Sequence, residues 1–107
     1  MKVKKIKFDK LRPVYFGWNA IAVFEEETGI AFAEMGEAMS NFKAKDLIAF
    51  VYAGLVGGAN KNKVEIDFSL NDVGDWLDEV EDLEKIFEAY MQCMPMTENK
   101  KQGKKKA

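Results

Sequence analysis

The stretch D-L-I-A-F-V-Y-A-G-L-V-G-G, Asp46 to Gly58, is strongly apolar. Its apolar side chains cover almost the whole circumference of a helix, which is typical of a central, buried helix. We therefore interpret it as packed core in preference to an apolar ligand groove. Gly54 predicts that a neighbouring element approaches the helix closely, and Gly57 and Gly58 are expected to end it.

Two helical regions are predicted on the N-terminal side of this stretch. Asn19 is a candidate N-cap for the first helix, and Trp18 just before it is expected to pack on Val23 as a hydrophobic staple. Gly29 is expected to end that helix in the left-handed conformation. A brief second helical face follows, weakened by Gly36.

The C-terminal side predicts two more helices. Ser69 is a strong N-cap, and Asp72 three residues later completes a variant of the capping box. Apolar residues at helical spacing continue from Val73 until Pro95, which stops the pattern. Two helices joined near Glu81 are favoured over one bent helix.

Short alternating segments predict a small sheet. A hairpin is expected over about residues 3–16, with Lys5 and Lys7 facing solvent and Pro13 at an edge. The alternating segment 64–68 is expected to add a third strand, which would place its acids beside the same two lysines.

The fold class is therefore predicted as mainly α. We expect a compact bundle of four to five short helices with a small N-terminal β-hairpin. Residues 1–96 should form one globular domain, with the hairpin at about 3–16 and the helices at about 19–94. Residues 97–107 are rich in lysine and are predicted to be a disordered tail.

The residue types leave little for catalysis. The chain has no histidine, so the usual general base and the commonest zinc ligand are missing. Its two serines, Ser40 and Ser69, stand where helix caps are expected, and Cys93 is the single cysteine. The acids between Asp72 and Asp82 lack the spacing of a calcium loop. We expect no enzyme, no catalytic, metal or cofactor site, and no membrane span, because no apolar run approaches about 20 residues.

The charge is divided into three blocks. Residues 1–12 carry +5, residues 13–99 carry −12 and residues 100–107 carry +5. One interpretation is a solvated acidic surface with a solubilising tail, and the other is an acidic surface that meets a basic partner. Arg12 is the only arginine, and no predicted helix combines a basic face with base-reading residues, so nucleic acid is not favoured as a partner.

Three motifs in a fixed order carry a family resemblance. After the basic N-terminal strand come F-G-W-N-A-I-A-V-F-E-E-E-T-G at 16–29, K-D-L-I-A-F-V-Y-A-G-L at 45–55 and F-S-L-N-D-V-G-D-W-L at 68–77. Together they resemble the tail assembly chaperones of long-tailed, siphovirus-type bacteriophages, over about residues 3–92. Asn71-Asp72 is a departure, since the family often has a glutamate-rich opening there.

The resemblance implies a non-catalytic role in the assembly of the phage tail. Such proteins bind the tape measure protein and keep it soluble while tail tube subunits assemble around it. They are expected in the host bacterial cytoplasm, from an infecting phage or a prophage, and not in the mature virion. Partners implied by the resemblance are the tape measure protein, the tail tube protein, further copies of the chain and a longer frameshifted form. The lysine runs at 100–101 and 104–106 are candidate positions for the ribosomal slip.

Seven residues are candidates for contact with a partner. The aromatic candidates are Trp18, Phe24, Trp76 and Tyr90, because aromatic residues dominate interface energies, although each is also compatible with the core. The electrostatic candidates are Glu25, Glu26 and Glu27, which crowd the last turn of the first helix, where carboxylates are mildly unfavourable. They are expected to neutralise the strand lysines, to lie at the start of the next helix, or to bind a partner. The alternative function is a small DNA-binding, adaptor or regulatory domain of a bacterial mobile element.

Overall fold

A two-stranded hairpin precedes five helices in the computed structural model, which describes residues 3–93. The elements are β1 (Lys4–Lys7), β2 (Leu11–Val14), α1 (Trp18–Thr28), α2 (Met35–Ala38), α3 (Ala44–Asn62), α4 (Leu70–Asp78) and α5 (Leu83–Gln92). Single 3₁₀ turns, Phe32–Glu34 and Met39–Asn41, flank α2. The predicted fold class, a compact, mainly helical domain with a small N-terminal hairpin, is confirmed.

The central helix is α3, as its apolar sequence predicts. Phe50 on α3 is fully buried and lies at the middle of an aromatic cluster. Its ring centroid is 4.8–5.9 Å from those of five other aromatic residues, Phe16, Phe24, Phe42, Phe87 and Tyr90. Phe16 lies just after β2, Phe24 lies on α1 and Phe42 lies in the loop before α3, while Phe87 and Tyr90 lie on α5. The cluster therefore joins most elements of the fold to one helix.

Gly57 and Gly58 do not end α3, so that prediction is wrong. Both lie inside the helix, where a Cβ atom would collide with the carbonyl oxygens of Tyr15 and Pro13 respectively. The two glycines are needed because the backbone of β2 and of Tyr15 just after it lies directly on this face of α3. The helix ends four residues later than Gly58, and Lys63 then takes the left-handed conformation with φ 58°.

The hairpin follows the predicted alternation, but the third strand is absent from the described residues. Ile6 is buried between the exposed Lys5 and Lys7, and β1 and β2 pair antiparallel with Ile6 opposite Arg12. Segment 64–68 has no strand pairing, and Asp67 contacts Arg12 instead of standing beside the two lysines. Alternation alone did not distinguish an irregular extended segment, held by one side chain, from a paired strand.

The ends of α1 are set by two glycines. Its N-cap is Gly17 and not Asn19, and no side chain caps this end. Trp18 is the first helical residue and does not precede the cap, so the predicted staple geometry is also wrong. The C-terminal prediction is confirmed, because Gly29 has φ 79° and its N–H donates to the carbonyl of Glu25 at 2.8 Å.

The last two helices match their sequence signals. Ser69 and Asp72 form the predicted reciprocal cap, with each side chain accepting from the other residue's N–H, at 3.2 and 3.0 Å. The helices are separate, and the break around Glu81 is where it was expected. The predicted stop at Pro95 and the lysine-rich tail at 97–107 lie outside the described residues.

Candidate functional site

The single arginine of the chain organises one side of the surface. Arg12 donates from Nε and Nη2 to the two carboxylate oxygens of Asp9, at 2.6 and 2.8 Å, and from Nη1 to Asp67 at 2.8 Å. Its guanidinium carbon lies 4.6 Å from the centre of the Trp76 ring and 5.2 Å from that of Phe68. One side chain therefore ties the hairpin to the segment before α4 and to α4 itself.

The electrostatics of this cluster favour its charged form. Hydrogen bonding to Arg12 lowers the pKa of Asp9 and of Asp67. In return, the hydrogen bond to Asp9 raises the pKa of Arg12 despite its burial. Arg12 is only 7% exposed, and a buried arginine is stabilised by bidentate pairing and by aromatic stacking. Arg12 is thus paired with both carboxylates and lies against the ring of Trp76.

Beside this cluster lies a groove of about 500 Å³, here called the corner groove, between the hairpin turn and the connection from α4 to α5. Its apolar lining consists of Phe8, Trp76, Val80 and Ile86, of which the first three are half-buried. The ring of Phe8 is 5.9 Å from that of Trp76. An apolar floor that stays partly exposed is suited to binding apolar side chains of another molecule.

The rim of the corner groove is acidic. Glu79, Glu81 and Asp82 line it, together with Lys7 and Lys85. Residues 78–84, which comprise the connection and the adjoining ends of α4 and α5, contain five acids and no basic residue, and all five are exposed. Within residues 3–93 the ion pairs involve Arg12 and Lys10 with the aspartates at 9 and 67, so none of these five acids has a salt-bridge partner there.

A second exposed apolar site surrounds Trp18. This side chain is 61% exposed, and its ring centroid is 4.8 Å from that of Phe32. It borders a shallow cleft of about 270 Å³ with Tyr15 and Lys61, whose ammonium lies 4.9 Å from the centre of the Tyr15 ring. The cleft joins the start of α1 to the end of α3.

The three glutamates of α1 have different environments. Glu25 is half-buried, and its Oε2 accepts a hydrogen bond from the N–H of Phe32 at 2.7 Å. Phe32 opens the next helical turn, so the expectation that the acids lie at the start of the following helix is confirmed for Glu25. Glu26 and Glu27 are exposed. In the described part of the chain neither forms an ion pair with the strand lysines.

The aromatic candidates divide between core and surface. Phe24 and Tyr90 are fully buried, and the Tyr90 hydroxyl donates to the carbonyl of Val51 at 2.6 Å. Both therefore belong to the core and offer nothing to a partner in this conformation. Trp18 and Trp76 lie at the two surface sites. The sequence reasoning missed Arg12 and Phe8; the signal for Arg12 was a lone arginine three residues after an aspartate.

Comparisons with known proteins returned no relative. A scan against protein-family models, a search of curated proteins and a search of solved structures each found no match. Among residues 3–93, none of the helices is long and apolar enough to cross a membrane. In the same part of the chain, no three acidic or cysteine side chains converge in a way that would hold a metal ion.

Proposed function

We propose that this chain is a tail assembly chaperone of a long-tailed bacteriophage. It binds the tape measure protein and keeps it soluble while tail tube subunits assemble, without catalysing a reaction. The observation that carries the proposal is the order of three motifs, at 16–29, 45–55 and 68–77, along one short chain.

The arrangement of these motifs in the fold supports the proposal. They correspond to α1, α3 and α4, and both α1 and α4 pack on α3. The first contact includes the rings of Phe24 and Phe50, 5.9 Å apart. The resemblance therefore lies in the segments that build the core, together with their capping residues, rather than in scattered surface positions.

The exposed surface is also suited to reversible binding of a protein. Trp18 and Leu83 are large apolar side chains exposed by 61% and 43%, and Leu83 is flanked in sequence by two exposed acids, Asp82 and Glu84. Tryptophan is enriched among residues that dominate interface energies. Charged groups around such anchors accelerate association and select a partner of opposite charge.

We further propose where the protein acts and which other partners it has. The protein acts in the host bacterial cytoplasm, during infection or from a prophage, and is absent from the mature virion. It self-associates, contacts the tail tube protein and exists also as a longer form made by ribosomal slippage at the lysine codons 100–101 or 104–106. The nucleotide sequence tests the last point: it must contain a heptameric slip site there and an overlapping downstream frame.

Co-expression tests the proposed function. The tape measure protein from the same genome is expressed alone, with this chain, and with an unrelated acidic domain of similar size and net charge. We expect it in the soluble fraction only with this chain. If its solubility is the same in all three cultures, the chaperone function is refuted.

A further inference from the structure

We infer that the corner groove is the docking site for a basic amphipathic segment of the partner, a segment with apolar side chains on one face and lysine or arginine on the other. This inference rests on the proposed function, because it names the surface that would hold the tape measure protein. It goes beyond that function by assigning the site and the chemistry of the segment that binds there.

The floor of the groove is apolar and accounts for the preference for a segment with an apolar face. Trp76 is half-buried between Phe8 and Phe68, with ring centroids 5.9 and 6.0 Å away, so one part of the indole remains open to the groove. Val80 and Ile86 extend the same surface. A tryptophan at the centre of an apolar groove is the kind of residue that contributes most to binding when it is covered.

The acidic rim of the groove accounts for the preference for a positively charged segment. The five exposed acids of residues 78–84 lie within seven positions, and none has a cationic partner among the described residues. Their mutual repulsion is relieved when a positively charged segment binds. Glu79, Glu81 and Asp82 line the groove together with Lys7 and Lys85, so the lining has a net charge of −1. Asp78 and Glu84, next to the lining in sequence, add to the negative charge beside the groove. Charge complementarity therefore selects a basic partner segment and rejects an acidic one.

The site is held in place before a partner arrives. Arg12 holds the indole of Trp76 through its contact at 4.6 Å, and Arg12 is itself held by Asp9 and Asp67. On the other side, Asp82 accepts the N–H of Lys85 at 3.3 Å and so caps α5 at the rim. A preorganised site loses less conformational entropy on binding.

The lysine-rich residues 97–107 of the same chain fit the groove less well than a partner does. They carry five lysines but no apolar side chain apart from Ala107, so they match the rim and leave the floor uncovered. A second copy of the chain would offer the lysines of its hairpin. The inference commits to a partner segment, and the experiment below separates it from these two occupants.

The chain contains two tryptophans, so the variant Trp18→Phe leaves Trp76 as the only indole and makes its fluorescence a reporter of the groove. The probe is an 18-residue peptide with leucine at helical spacing and lysine elsewhere. Two control peptides replace lysine by glutamate or leucine by serine. We expect a saturable change in Trp76 emission with the first peptide only. A response of equal strength to the serine peptide would overturn the inference, because it would show charge attraction without docking.

Matched variants in the Trp18→Phe background locate the binding. Glu79→Gln with Glu81→Gln removes two rim charges, and we expect the peptide to bind about tenfold more weakly. Glu34→Gln with Glu37→Gln removes two exposed charges near α2, and we expect less than a twofold effect. Equal weakening by both pairs would refute a site at the groove. Circular dichroism and thermal unfolding confirm that each variant is folded.

The other occupants give distinct results. If replacing the five lysines of residues 100–106 by glutamine changes Trp76 emission without peptide, the chain's own lysines occupy the groove and the inference is wrong. If emission instead changes with protein concentration, a second copy occupies it, and the inference is equally wrong.

Co-expression with the tape measure protein separates this inference from the proposed function. If the Glu79/Glu81 variant keeps the tape measure protein as soluble as the unaltered chain does, the function stands and the groove is not its site. If the unaltered chain fails to solubilise the tape measure protein while the leucine–lysine peptide still binds, the specificity of the groove is supported and the chaperone function is refuted.

Discussion

The ring of Tyr90 in α5 fills the space that a side chain at position 54 of α3 would need. A Cβ atom built on Gly54 would collide with the ring carbons of Tyr90, and the hydroxyl of Tyr90 donates to the carbonyl of Val51 one turn earlier, at 2.6 Å. The lack of a side chain at Gly54 thus leaves room for a fully buried aromatic ring. This contact joins the last described helix to the centre of the fold.

Replacing Gly54 by alanine should destabilise the protein. The Tyr90 ring is buried and held by its hydrogen bond, so it has little freedom to move away, and we expect a loss of about 1–3 kcal/mol in the free energy of unfolding. Gly36→Ala is the matched control: it is also helical, no atom lies within 4 Å of its added Cβ, and a gain of about 0.5–1 kcal/mol is expected. Urea denaturation measures both, and equal effects would contradict the packing described.

Tyr90 should also control stability at alkaline pH. Burial raises the pKa of Tyr90 well above its ordinary value, so the unfolded chain loses this proton before the folded one. The stability that it contributes is therefore complete below about pH 10 and is lost above that value, by about 1.4 kcal/mol per pH unit. We expect Tyr90→Phe to remove this part of the alkaline decline and to cost about 0.5–1.5 kcal/mol at neutral pH.

The control for this measurement is Tyr52→Phe. Tyr52 lies on α3 and is only partly buried, so its replacement should leave the alkaline decline in place. Cys93 is present in both variants, and burial raises the pKa of its thiol too, so it adds the same decline to both curves. Denaturation at pH 8, 9, 10 and 11 separates the two variants; parallel curves would refute the role of Tyr90.

The Arg12 cluster predicts a loss of stability in acid. Arg12 lowers the pKa of Asp67 below the ordinary aspartate value of about 3.9, so the ion pair stabilises the fold above that pH and is lost as the pH falls through the lowered value. Asp67→Asn should be less stable than the unaltered chain at pH 6, and the difference should shrink below about pH 4.

Glu65→Gln removes one charge from the same segment and is the control for Asp67. Glu65 is exposed and forms no ion pair within residues 3–93, so we expect unchanged stability at both pH values. If Glu65→Gln and Asp67→Asn give the same pH dependence, the effect is one of net charge and the specific pairing with Arg12 is refuted.

The sequence predicted the fold where the signal was local. Ser69 and Gly29 act within one turn of chain, and both were assigned correctly. It failed where a distant element decides the outcome. Gly57 was interpreted as a helix end. In sequence, a glycine that lets another backbone pack closely against a helix cannot be distinguished from a glycine that ends the helix. Asp67 was assigned to a strand because its alternation does not reveal the distant arginine that holds it.

The same distinction applies to the surface. Trp18 and Trp76 share a residue type that is found in cores and in interfaces alike, and only packing shows that both remain accessible. The corner groove joins a hairpin turn to the connection between two helices about 70 residues later in the chain. Because the two segments are far apart in the sequence, no local sequence pattern indicates that they lie side by side in the fold.

Glu25 should be structural while its neighbour Glu26 is not. Glu25 accepts the N–H of Phe32 at 2.7 Å and so fixes the chain after α1. Glu25→Ala leaves that N–H without its acceptor, and we expect a loss of about 1 kcal/mol. Glu26→Ala removes only an exposed acid from the negative end of the helix, so the change should be neutral or slightly stabilising. Thermal unfolding compares the two, and equal losses would contradict this assignment.

Trp18 should matter for binding more than for stability. It is 61% exposed and contacts Phe32, so Trp18→Ala should cost less than about 1 kcal/mol in the free energy of unfolding. If it is an anchor for the tape measure protein, its loss should weaken binding by about 30-fold or more, which is the scale of an interface hot spot. Leu11→Ala is the control, because Leu11 on the hairpin is equally exposed, at 62%, and lines neither the cleft at Trp18 nor the corner groove. Binding measured with both variants decides the point: equal affinities would remove Trp18 from the contact surface and leave the corner groove as the remaining candidate.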